Sequence, residues 1–257
     1  MIQGNEICKQ FGDFMALDHL SFRINAGTVY GLVGPNGAGK YTLLRHITGI
    51  FKPDSGEILY DGEPVFENSR VKERMAFIPD DVFYFRLATL VDMKNYYRGI
   101  YPSFNEKVFD ELWGCFPQLD RKMPIRHMSK GMQKQAAFML AISMRPNFLV
   151  LDEPVDGLDP VMRRQIWSIL MSEVSEKHLT VLVSSHNLRE LEDVCDHVGI
   201  MNRGNILLEH SMEDLQGSVT KIQVVFEGEM PELGEELELV SRSDLGKVHT
   251  LIIRDMN

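Results

Sequence analysis

The amino-acid sequence predicts an α/β fold with a mostly parallel sheet, an antiparallel β subdomain and an inserted helical subdomain. Strand-like and helix-like segments alternate along much of the 257 residues, which is typical of a parallel sheet with helices on its faces. A hairpin signal with an Asp61-Gly62 turn indicates antiparallel strands near the N-terminus. Residues 80–145 interrupt the alternation with apolar residues at helical spacing.

The segments before residue 80 are predicted to be mainly strands. We expect strands over residues 2–9, 20–24 and 29–33, a helix over residues 40–48, a hairpin over residues 56–65 and a strand over residues 74–79. After the helical insertion, we expect buried strands over residues 148–152 and 180–185, helices over residues 160–176 and 187–195, a hairpin turned at Arg203-Gly204-Asn205 and a short helix near Met212.

The C-terminal stretch has a different character. Its alternating runs, IQVVF and HTLII, predict a small β-rich appendage over residues 218–257, separate from a main domain over residues 1–217. Whether this appendage ends naturally at Asn257 or is truncated stays open from the sequence.

Composition excludes some classes of function. The formal net charge is −10 at pH 7, whereas a nucleic-acid groove needs clustered Lys and Arg, so no nucleic-acid partner is expected. No apolar run reaches the length of a membrane span and the N-terminus lacks a signal-peptide hydrophobic region, so we expect a cytosolic chain. The three cysteines form no CxxC motif and are expected to be reduced thiols.

A glycine-rich loop is the first motif that carries chemistry. Gly34-x-x-x-x-Gly39-Lys40 follows a predicted strand and opens a predicted helix. Glycines let successive backbone N–H groups approach a phosphate without a Cβ clash, and the helix N-terminus adds partial positive charge. Lys40 has the reach for the β- and γ-phosphates of a nucleotide. The context favours a phosphate-binding loop over an ordinary turn.

Two carboxylates close the apolar strand at residues 148–152. Asp152 and Glu153 would be costly there unless a metal or hydrogen bonds satisfied them. In a phosphoryl-transfer site, Asp152 would hold Mg²⁺ through water and Glu153 would polarise the attacking water. His186, directly after the strand at residues 180–185, could bridge the γ-phosphate and that water. The alternatives are an acidic strand cap and a structural histidine.

Ser129-Lys130-Gly131 predicts a second anion-binding surface. Ser129 is a natural N-cap for a helix running to about residue 144, and a hydroxyl, a glycine and a helix N-terminus together suit a phosphate. The segment has no local Asp or Lys partner, so another subunit would have to present the phosphates. An ordinary helix start is the alternative.

The ordered segments GPNGAGKYT, MSKGMQ, FLVLDEP, GLDP and SSH resemble the nucleotide-binding subunits of ATP-binding cassette (ABC) transporters over about residues 1–217. The resemblance implies a P-loop NTPase fold with a RecA-like core, ATP and Mg²⁺ as cofactors, and a head-to-tail dimer with ATP between its subunits. The residues it implies for ATP binding are Phe11, Gly34, Pro35, Asn36, Gly37, Ala38, Gly39, Lys40, Tyr41, Thr42, Ser129, Lys130, Gly131 and Asp159. Glu153 and His186 would be catalytic, and Asp152 and Asp80 would serve the metal.

Tyr41 departs most from this family pattern. The family has Ser or Thr there, and the hydroxyl ligates Mg²⁺; a Tyr hydroxyl lies farther from the backbone on a bulky ring. We therefore expect weakened binding or hydrolysis of Mg²⁺-ATP, with Thr42 left for the α-phosphate. Asp80 replaces the family's Gln, and Lys130 and Met132 replace the Gly and Gln of the signature segment.

The segments PDDVFYF and YPSF resemble the ATPases of bacterial ABC-2-type exporters, many of which handle peptides, toxins or drugs. This implies a transmembrane permease subunit, a second ATP-binding subunit, identical or different, and a place on the cytoplasmic face of the cell membrane. Two alternatives stay open. One is a soluble ABC-type ATPase acting on ribosomes or DNA, and the other is an ATP-binding regulatory subunit with impaired hydrolysis.

Overall fold

The computed structural model describes residues 1–82, 84–212, 214, 220–224, 237–245 and 248–255. The chain divides into two compact units, Met1–Glu209 and His210–Asn257. All the motifs discussed above lie in the first unit. The domain boundary predicted at residue 217 stays a prediction, since residues 215–219 lie outside the described ranges.

The strands up to residue 211 are β1 (Ile2–Phe11), β2 (Phe14–Ile24), β3 (Val29–Val33), β4 (Ser55–Tyr60), β5 (Glu63–Pro64), β6 (Met75–Ile78), β7 (Phe148–Asp152), β8 (Thr180–Ser185), β9 (His197–Asn202) and β10 (Asn205–Ser211). The α-helices are α1 (Lys40–Ile47), α2 (Ser69–Lys72), α3 (Leu90–Ile100), α4 (Glu106–Cys115), α5 (Lys130–Ser143) and α6 (Pro160–Lys177). Two 3₁₀ turns are formed by Ile125–His127 and Leu188–Glu190.

A six-stranded sheet in the order β10-β9-β3-β8-β7-β6 forms the centre of the first unit. The pairs β3–β8, β3–β9, β7–β8 and β6–β7 are parallel, so their carboxyl ends lie at one edge. Every residue of β3, β7 and β8 is buried. This explains why all three read as continuous apolar runs, because a parallel strand is covered on both faces.

A second, antiparallel sheet has the order β2-β1-β4-β5. It shares one buried apolar cluster with the central sheet and α1, with members such as Ile7, Leu20, Leu32, Leu44 and Val150. Each fully buried side chain of this size stabilises the fold by about 1.5–3 kcal/mol. The predicted combination of a parallel core and an antiparallel β subdomain is thus confirmed.

The helices α3, α4 and α5 lie between β6 and β7 in the chain, although these two strands are neighbours in the sheet. Asparagine or hydroxyl side chains cap the first turn of each helix. The Thr89 and Asp92 side chains form a capping box at α3, Asn105 caps α4, and the Ser129 hydroxyl accepts from the N–H of Met132 at α5. The insertion of helical structure expected over residues 80–145 is therefore present.

One element prediction was too short and another was wrong. The strand expected over residues 20–24 is the second half of β2, which begins at Phe14. Its first half was missed because Ala16 and Leu17 are both buried and break the alternation that marks a half-buried strand. The helix expected over residues 187–195 is only the 3₁₀ turn followed by turns, although its apolar residues have helical spacing. There the Asp196 carboxylate accepts a hydrogen bond from the N–H of Val29 at 2.7 Å, which holds the residue before β9 against the start of β3.

The described part of the second unit is an antiparallel sheet of β11 (Thr220–Val224), β12 (Leu237–Leu245) and β13 (Val248–Asp255), in the order β11-β13-β12. The short helix predicted near Met212 falls partly on residues outside the described ranges. Across the described residues, no helix is both long and apolar enough to cross a membrane.

Candidate nucleotide-binding site

Three motifs meet at the carboxyl edge of the central sheet. Val33, which precedes the glycine loop, is aligned with Ser185, and Ser184 is aligned with Asp152 on the next strand. The loop at residues 34–39, the carboxylates after β7 and the histidine after β8 are therefore neighbours. In open α/β sheets this edge is where ligands bind.

A cavity of about 660 Å³ opens at this edge, which is a size that suits a small ligand. It is lined by Phe14, Pro35, Asn36, Gly37, Ala38, Gly39, Lys40, Tyr41, Thr42, Arg45, Ile50, Phe77, Pro79, Asp80, Asp81, Asp152 and Glu153. The predicted loop and the predicted carboxylates thus share one cavity.

The glycines of the loop are required by its path. Gly39 precedes α1 with a φ of 107°, and a Cβ there would lie 2.7 Å from the carbonyl oxygen of Ala16. A Cβ on Gly34 would meet the backbone carbonyl of Met201. No side chain caps α1 and no acidic residue occupies its first turn. Its first N–H groups and its partial positive charge are therefore presented to the cavity, where an anion is stabilised.

Lys40 lies on the floor of the cavity and is buried. Its ammonium donates to the carbonyl oxygen of Gly34 at 2.6 Å, and lies 3.9 Å from Glu153 Oε1. Burial lowers the pKa of Lys40, while the negative charges of Glu153 and Asp152 oppose that shift. A phosphate would offer the ammonium charged oxygen acceptors in place of the neutral Gly34 carbonyl, which adds a Coulomb attraction that the carbonyl lacks.

Asp152 is held by a residue that the sequence reasoning missed. Ser184, fully buried at the end of β8, donates to Asp152 Oδ1 at 2.5 Å and accepts from the N–H of Glu153 at 3.2 Å. Burial raises the pKa of Asp152, the Ser184 hydrogen bond opposes this, and the nearby charge of Asp80 raises it further. Ser184 belongs to the SSH segment of the family resemblance, but only His186 of that segment was assigned a role from the sequence.

Glu153 and His186 are brought together across the ends of β7 and β8. Glu153 Oε2 lies 3.0 Å from His186 Nδ1, and Glu153 has a left-handed backbone with a φ of 45°. Burial raises the pKa of Glu153, and the hydrogen bond with His186 opposes that shift. A carboxylate that binds protons more readily than usual, beside a histidine, has the character of a general base.

Lys134 was also missed by the sequence reasoning. Its ammonium donates to Asp80 Oδ1 at 3.0 Å, to the carbonyl oxygen of Glu153 at 2.7 Å and to that of Asp156 at 3.1 Å. It is buried, in a run of buried residues on α5. A lysine among apolar helix positions was the available signal.

Tyr41 lies on the cavity wall with 47% of its surface exposed. The guanidinium of Arg45, one turn along α1, lies 4.2 Å from the centroid of the Tyr41 ring. This cation–π contact holds the ring along the helix surface. The position that should carry a short hydroxyl therefore carries an aromatic ring packed on its own helix.

Two of the predicted ATP-binding regions lie apart from this cavity. Phe11 packs edge-on against Phe51, with 5.9 Å between ring centroids, whereas Phe14 is the N-terminal aromatic that lines the cavity. Ser129, Lys130, Gly131 and Asp159 line another cavity of about 530 Å³. None of the residues around that second cavity belongs to the lining of the first.

The donors present suit a hard divalent cation that keeps other ligands. Among the described residues, no cluster of three or more His, Cys, Asp and Glu is arranged to hold a metal alone. Mg²⁺ commonly takes one or two protein carboxylates and completes its shell with water and phosphate oxygens. Asp152 and Asp80, both on the cavity wall, fit that role.

The glycine loop, the strand-end carboxylates and the parallel sheet define a nucleotide-binding protein with the P-loop NTPase fold. The family model described as ABC transporter matches residues 17–156. The ABC transporter ATP-binding protein YtrB of Bacillus subtilis is 29% identical over 253 residues, covering 98% of this chain and 86% of the relative. The bacitracin transport ATP-binding protein BcrA of Bacillus licheniformis is 29% identical over 229 residues, covering 84% of this chain and 71% of the relative.

Solved structures agree on the fold. The dimeric bacterial ABC transporter cassette MJ0796 superposes with a TM-score of 0.75 at 20% identity, over 82% of this chain and 99% of that one. The chain belongs to the ABC transporter family, among its ATP-binding proteins. The family and the fold predicted from the sequence are thus confirmed.

Proposed function

We propose that this protein binds and hydrolyses Mg²⁺-ATP as the motor subunit of an ABC exporter. The observation that carries the proposal is that Lys40, Asp152, Glu153 and His186 converge at one edge of the sheet beside an uncapped helix N-terminus. Such a set can hydrolyse a phosphoanhydride, because the lysine can bind the phosphates and the carboxylate beside the histidine can orient and deprotonate water.

The residues divide the chemistry among them. The loop N–H groups and Lys40 bind the phosphate oxygens, and the ammonium exchanges the Gly34 carbonyl for the β- and γ-phosphates. Asp152 and Asp80 would hold Mg²⁺, which offsets the negative charge that develops on the phosphate oxygens.

Glu153 is the proposed general base. His186 holds its Oε2, which leaves Oε1 to accept a proton from the attacking water. The water oxygen bonds to the γ-phosphorus, the bond to the bridging oxygen of ADP breaks, and ADP and inorganic phosphate result.

A second subunit is part of the proposal. Ser129, Lys130 and Gly131 lie around a cavity separate from that of Lys40, so they reach the same phosphates only when supplied by another subunit. Asp159 lies beside that segment and caps α6 through the N–H groups of Val161 and Met162. A head-to-tail dimer, with a like or unlike partner, would place each segment over the other subunit's Lys40. The similar cassette MJ0796 is described as dimeric.

The proposed transport partner is a transmembrane permease subunit at the cytoplasmic face of the cell membrane. Exposed apolar side chains lie on α3 and in the segment before it, where the rings of Phe85 and Tyr96 are in contact with 5.1 Å between centroids. They are Phe85, Leu87, Val91, Tyr96 and Ile100. Such a patch on an otherwise acidic chain marks a surface for protein contact rather than for nucleic acid. The similar protein BcrA is named for bacitracin transport, which favours export of a peptide, toxin or drug.

Tyr41 favours a second candidate function, an ATP-binding regulatory subunit with impaired hydrolysis. The ring occupies the wall near Asp152 and Asp80, and a tyrosine hydroxyl cannot take the place of a short hydroxyl on Mg²⁺ without rearrangement. In a heterodimer, such a subunit would bind ATP while the other site turned over.

The experiment compares Mg²⁺-dependent ATPase rates of the chain and its Tyr41→Ser variant, purified with its co-expressed permease. Met171→Ser is the control, since Met171 is an exposed apolar residue on α6, outside both the cavity and the patch around the inserted helices. We expect Tyr41→Ser to raise the rate and Glu153→Gln to abolish it. Equal rates for the chain and Tyr41→Ser would refute the proposed defect. Absence of ATP binding by both would refute the function itself.

A further inference from the structure

We propose that Lys134 is a positioning residue for the nucleotide site, because its buried ammonium ties Asp80 and the backbone of Glu153 to helix α5. The inference rests on the proposed function, in which Asp80 and Glu153 face Mg²⁺-ATP. It adds a residue that lies outside the cavity lining and outside the motifs that identified the site.

The contacts of Lys134 join three separate segments. Its Nζ lies 3.0 Å from Asp80 Oδ1 after β6, 2.7 Å from the carbonyl oxygen of Glu153 after β7, and 3.1 Å from that of Asp156. An ammonium has three donors, and all three are used here. The side chain therefore fixes where β6 and β7 lead into the cavity relative to α5.

Burial makes this arrangement costly to disturb. The Lys134 side chain is only 7% exposed, whereas that of Asp80 is 51% exposed. A buried ammonium needs hydrogen bonds and an opposite charge to offset its lost hydration. Displacing Asp80, Glu153 or Asp156 would remove one of the three acceptors of this buried charge, so the four groups are expected to move together.

The position of Lys134 on α5 links its contacts to the Ser129-Lys130-Gly131 segment at the start of the same helix. The helix begins at Ser129, the N-cap that starts the proposed phosphate-contacting segment of the other site. Lys134 follows one turn later on the same rigid helix. A contact made by Ser129, Lys130 or Gly131 with a partner's ATP would thus be transmitted through Lys134 to this subunit's own carboxylates.

Lys134 also places a positive charge beside the carboxylates of the cavity. Asp80, Asp152 and Glu153 all line the cavity that would receive a triphosphate. Among the described ion pairs, Lys134 lies 3.0 Å from the carboxylate of Asp80, whereas the carboxylate of Glu153 has Lys40 at 3.9 Å and His186 at 3.0 Å. Without Lys134, the half-exposed carboxylate of Asp80 would lose its ion-pair partner, and its repulsion of Asp152 and the phosphates would be reduced by solvent alone.

The test separates this role from a purely structural one by neutralising charges singly and together. The variants are Lys134→Met, Asp80→Asn and the double variant, with Lys107→Met as the matched control because the Lys107 side chain is 85% exposed on α4. Each is made in the full chain and in its Tyr41→Ser form. The measurements are ATP affinity with Mg²⁺ and with EDTA, thermal unfolding, and kcat and KM of the assembled transporter.

We expect Lys134→Met to weaken Mg²⁺-ATP affinity or lower kcat by about tenfold or more, as small displacements of reacting groups do. Lys107→Met should leave both unchanged. Asp80→Asn alone should also weaken Mg²⁺-ATP binding, because Asp80 is a proposed Mg²⁺ residue, but the double variant should be less impaired than the two single losses combined, since the unpaired carboxylate is then absent. A purely structural lysine would instead give a double variant at least as impaired as the two single losses combined.

The outcomes distinguish this inference from the function on which it rests. Where the parent chain binds ATP, a Lys134→Met variant with the parent's Mg²⁺-ATP affinity and the parent's kcat would overturn the inference alone, as would additive losses in the double variant. If neither the chain nor its Tyr41→Ser form binds ATP, the proposed function fails and the inference fails with it.

Discussion

The hydroxyl of Ser184 joins the two carboxylate-bearing positions of the site by donating to Asp152 Oδ1 at 2.5 Å and accepting from the N–H of Glu153 at 3.2 Å. Ser184 is fully buried on β8, so these bonds have no competition from water. One serine therefore fixes both the direction of the Asp152 side chain and the peptide plane that starts the turn at Glu153.

Replacing Ser184 with Ala should cost about 1–3 kcal/mol in the free energy of unfolding, because a buried acceptor and a buried donor both lose their partner. The same change should weaken Mg²⁺-ATP binding, since Asp152 loses the bond that opposes its raised pKa. Ser143→Ala is the control, because Ser143 is equally buried but bonds to Met139 within α5. The check is urea unfolding together with nucleotide titration; a loss of ATP affinity in both variants would contradict a specific role for Ser184.

The glycine loop allows two alanine substitutions to be compared. Alanine at Gly34 would place its Cβ against the backbone carbonyl of Met201, which cannot rotate away as a side chain can. We therefore expect the free energy of unfolding to fall by at least about 1–3 kcal/mol. Gly37 has a φ of 82° and no atom within 4 Å of an added Cβ, so only the backbone conformation is penalised, by about 1–2 kcal/mol. Chemical denaturation of both variants measures which of them loses more free energy of unfolding. Gly37→Ala as the more damaging change would mean that the Gly34 backbone can yield.

The raised pKa of Asp152 makes a prediction about stability and pH. Burial raises its pKa above the ordinary 3.8, so the folded chain binds this proton more tightly than the unfolded chain does. By linkage, the contribution of Asp152 to stability falls as the pH rises from 3.8 through the folded pKa. Asp152→Asn keeps an oxygen for the Ser184 hydroxyl but has no charge to bury.

Asp152→Asn should therefore be at least as stable as the parent below this window and more stable above it. The free energy of unfolding of both chains, measured from acid to neutral pH, tests this. If the free energy of unfolding of the parent rose relative to that of the variant with increasing pH, the attraction of Lys40 would more than offset the cost of burying the Asp152 charge. Mg²⁺-ATP binding should fall in the variant at neutral pH, which makes the site an example of function that costs stability.

The parts of the site that sequence could predict are those with a fixed spacing along the chain. The loop from Gly34 to Lys40 needs glycines and a lysine in one short run, and Asp152 and Glu153 directly follow an apolar strand. Ser184 and Lys134 were missed because their partners lie 32 and 54 positions away, and only the fold brings them together. A serine at a strand end and a lysine within a helix have many commoner explanations.

Spacing along the sequence was also insufficient to predict the secondary structure of the segment before β9. Leu191, Val194 and Cys195 have helical spacing and are all buried, yet none of them lies in a helix. Their burial comes from the chain's return to β9, where Asp196 bonds to the N–H of Val29. The spacing of apolar residues shows which positions face the core. A tight turn packed against a sheet can bury residues at the same spacing as a helix does.

The last prediction separates the ring of Tyr41 from its hydroxyl. If the hydroxyl cannot reach Mg²⁺, then removing it in Tyr41→Phe should leave Mg²⁺-ATP affinity unchanged. Stability should stay within about 0.5 kcal/mol, as for other surface substitutions, because a phenyl ring still accepts the Arg45 guanidinium that lies 4.2 Å from its centroid. Tyr41→Ser removes the ring and supplies a short hydroxyl, so it should bind Mg²⁺-ATP more tightly than either.

Nucleotide titrations of the three chains, with Mg²⁺ and with EDTA, decide between these effects. With EDTA, Tyr41→Ser and Tyr41→Phe should differ little, since the short hydroxyl matters through the cation. A loss of affinity in Tyr41→Phe that appears only with Mg²⁺ would show that the tyrosine hydroxyl does ligate the ion. In that case Tyr41 would be a working substitute for the usual hydroxyl, and the impaired-subunit alternative would lose the observation that favours it.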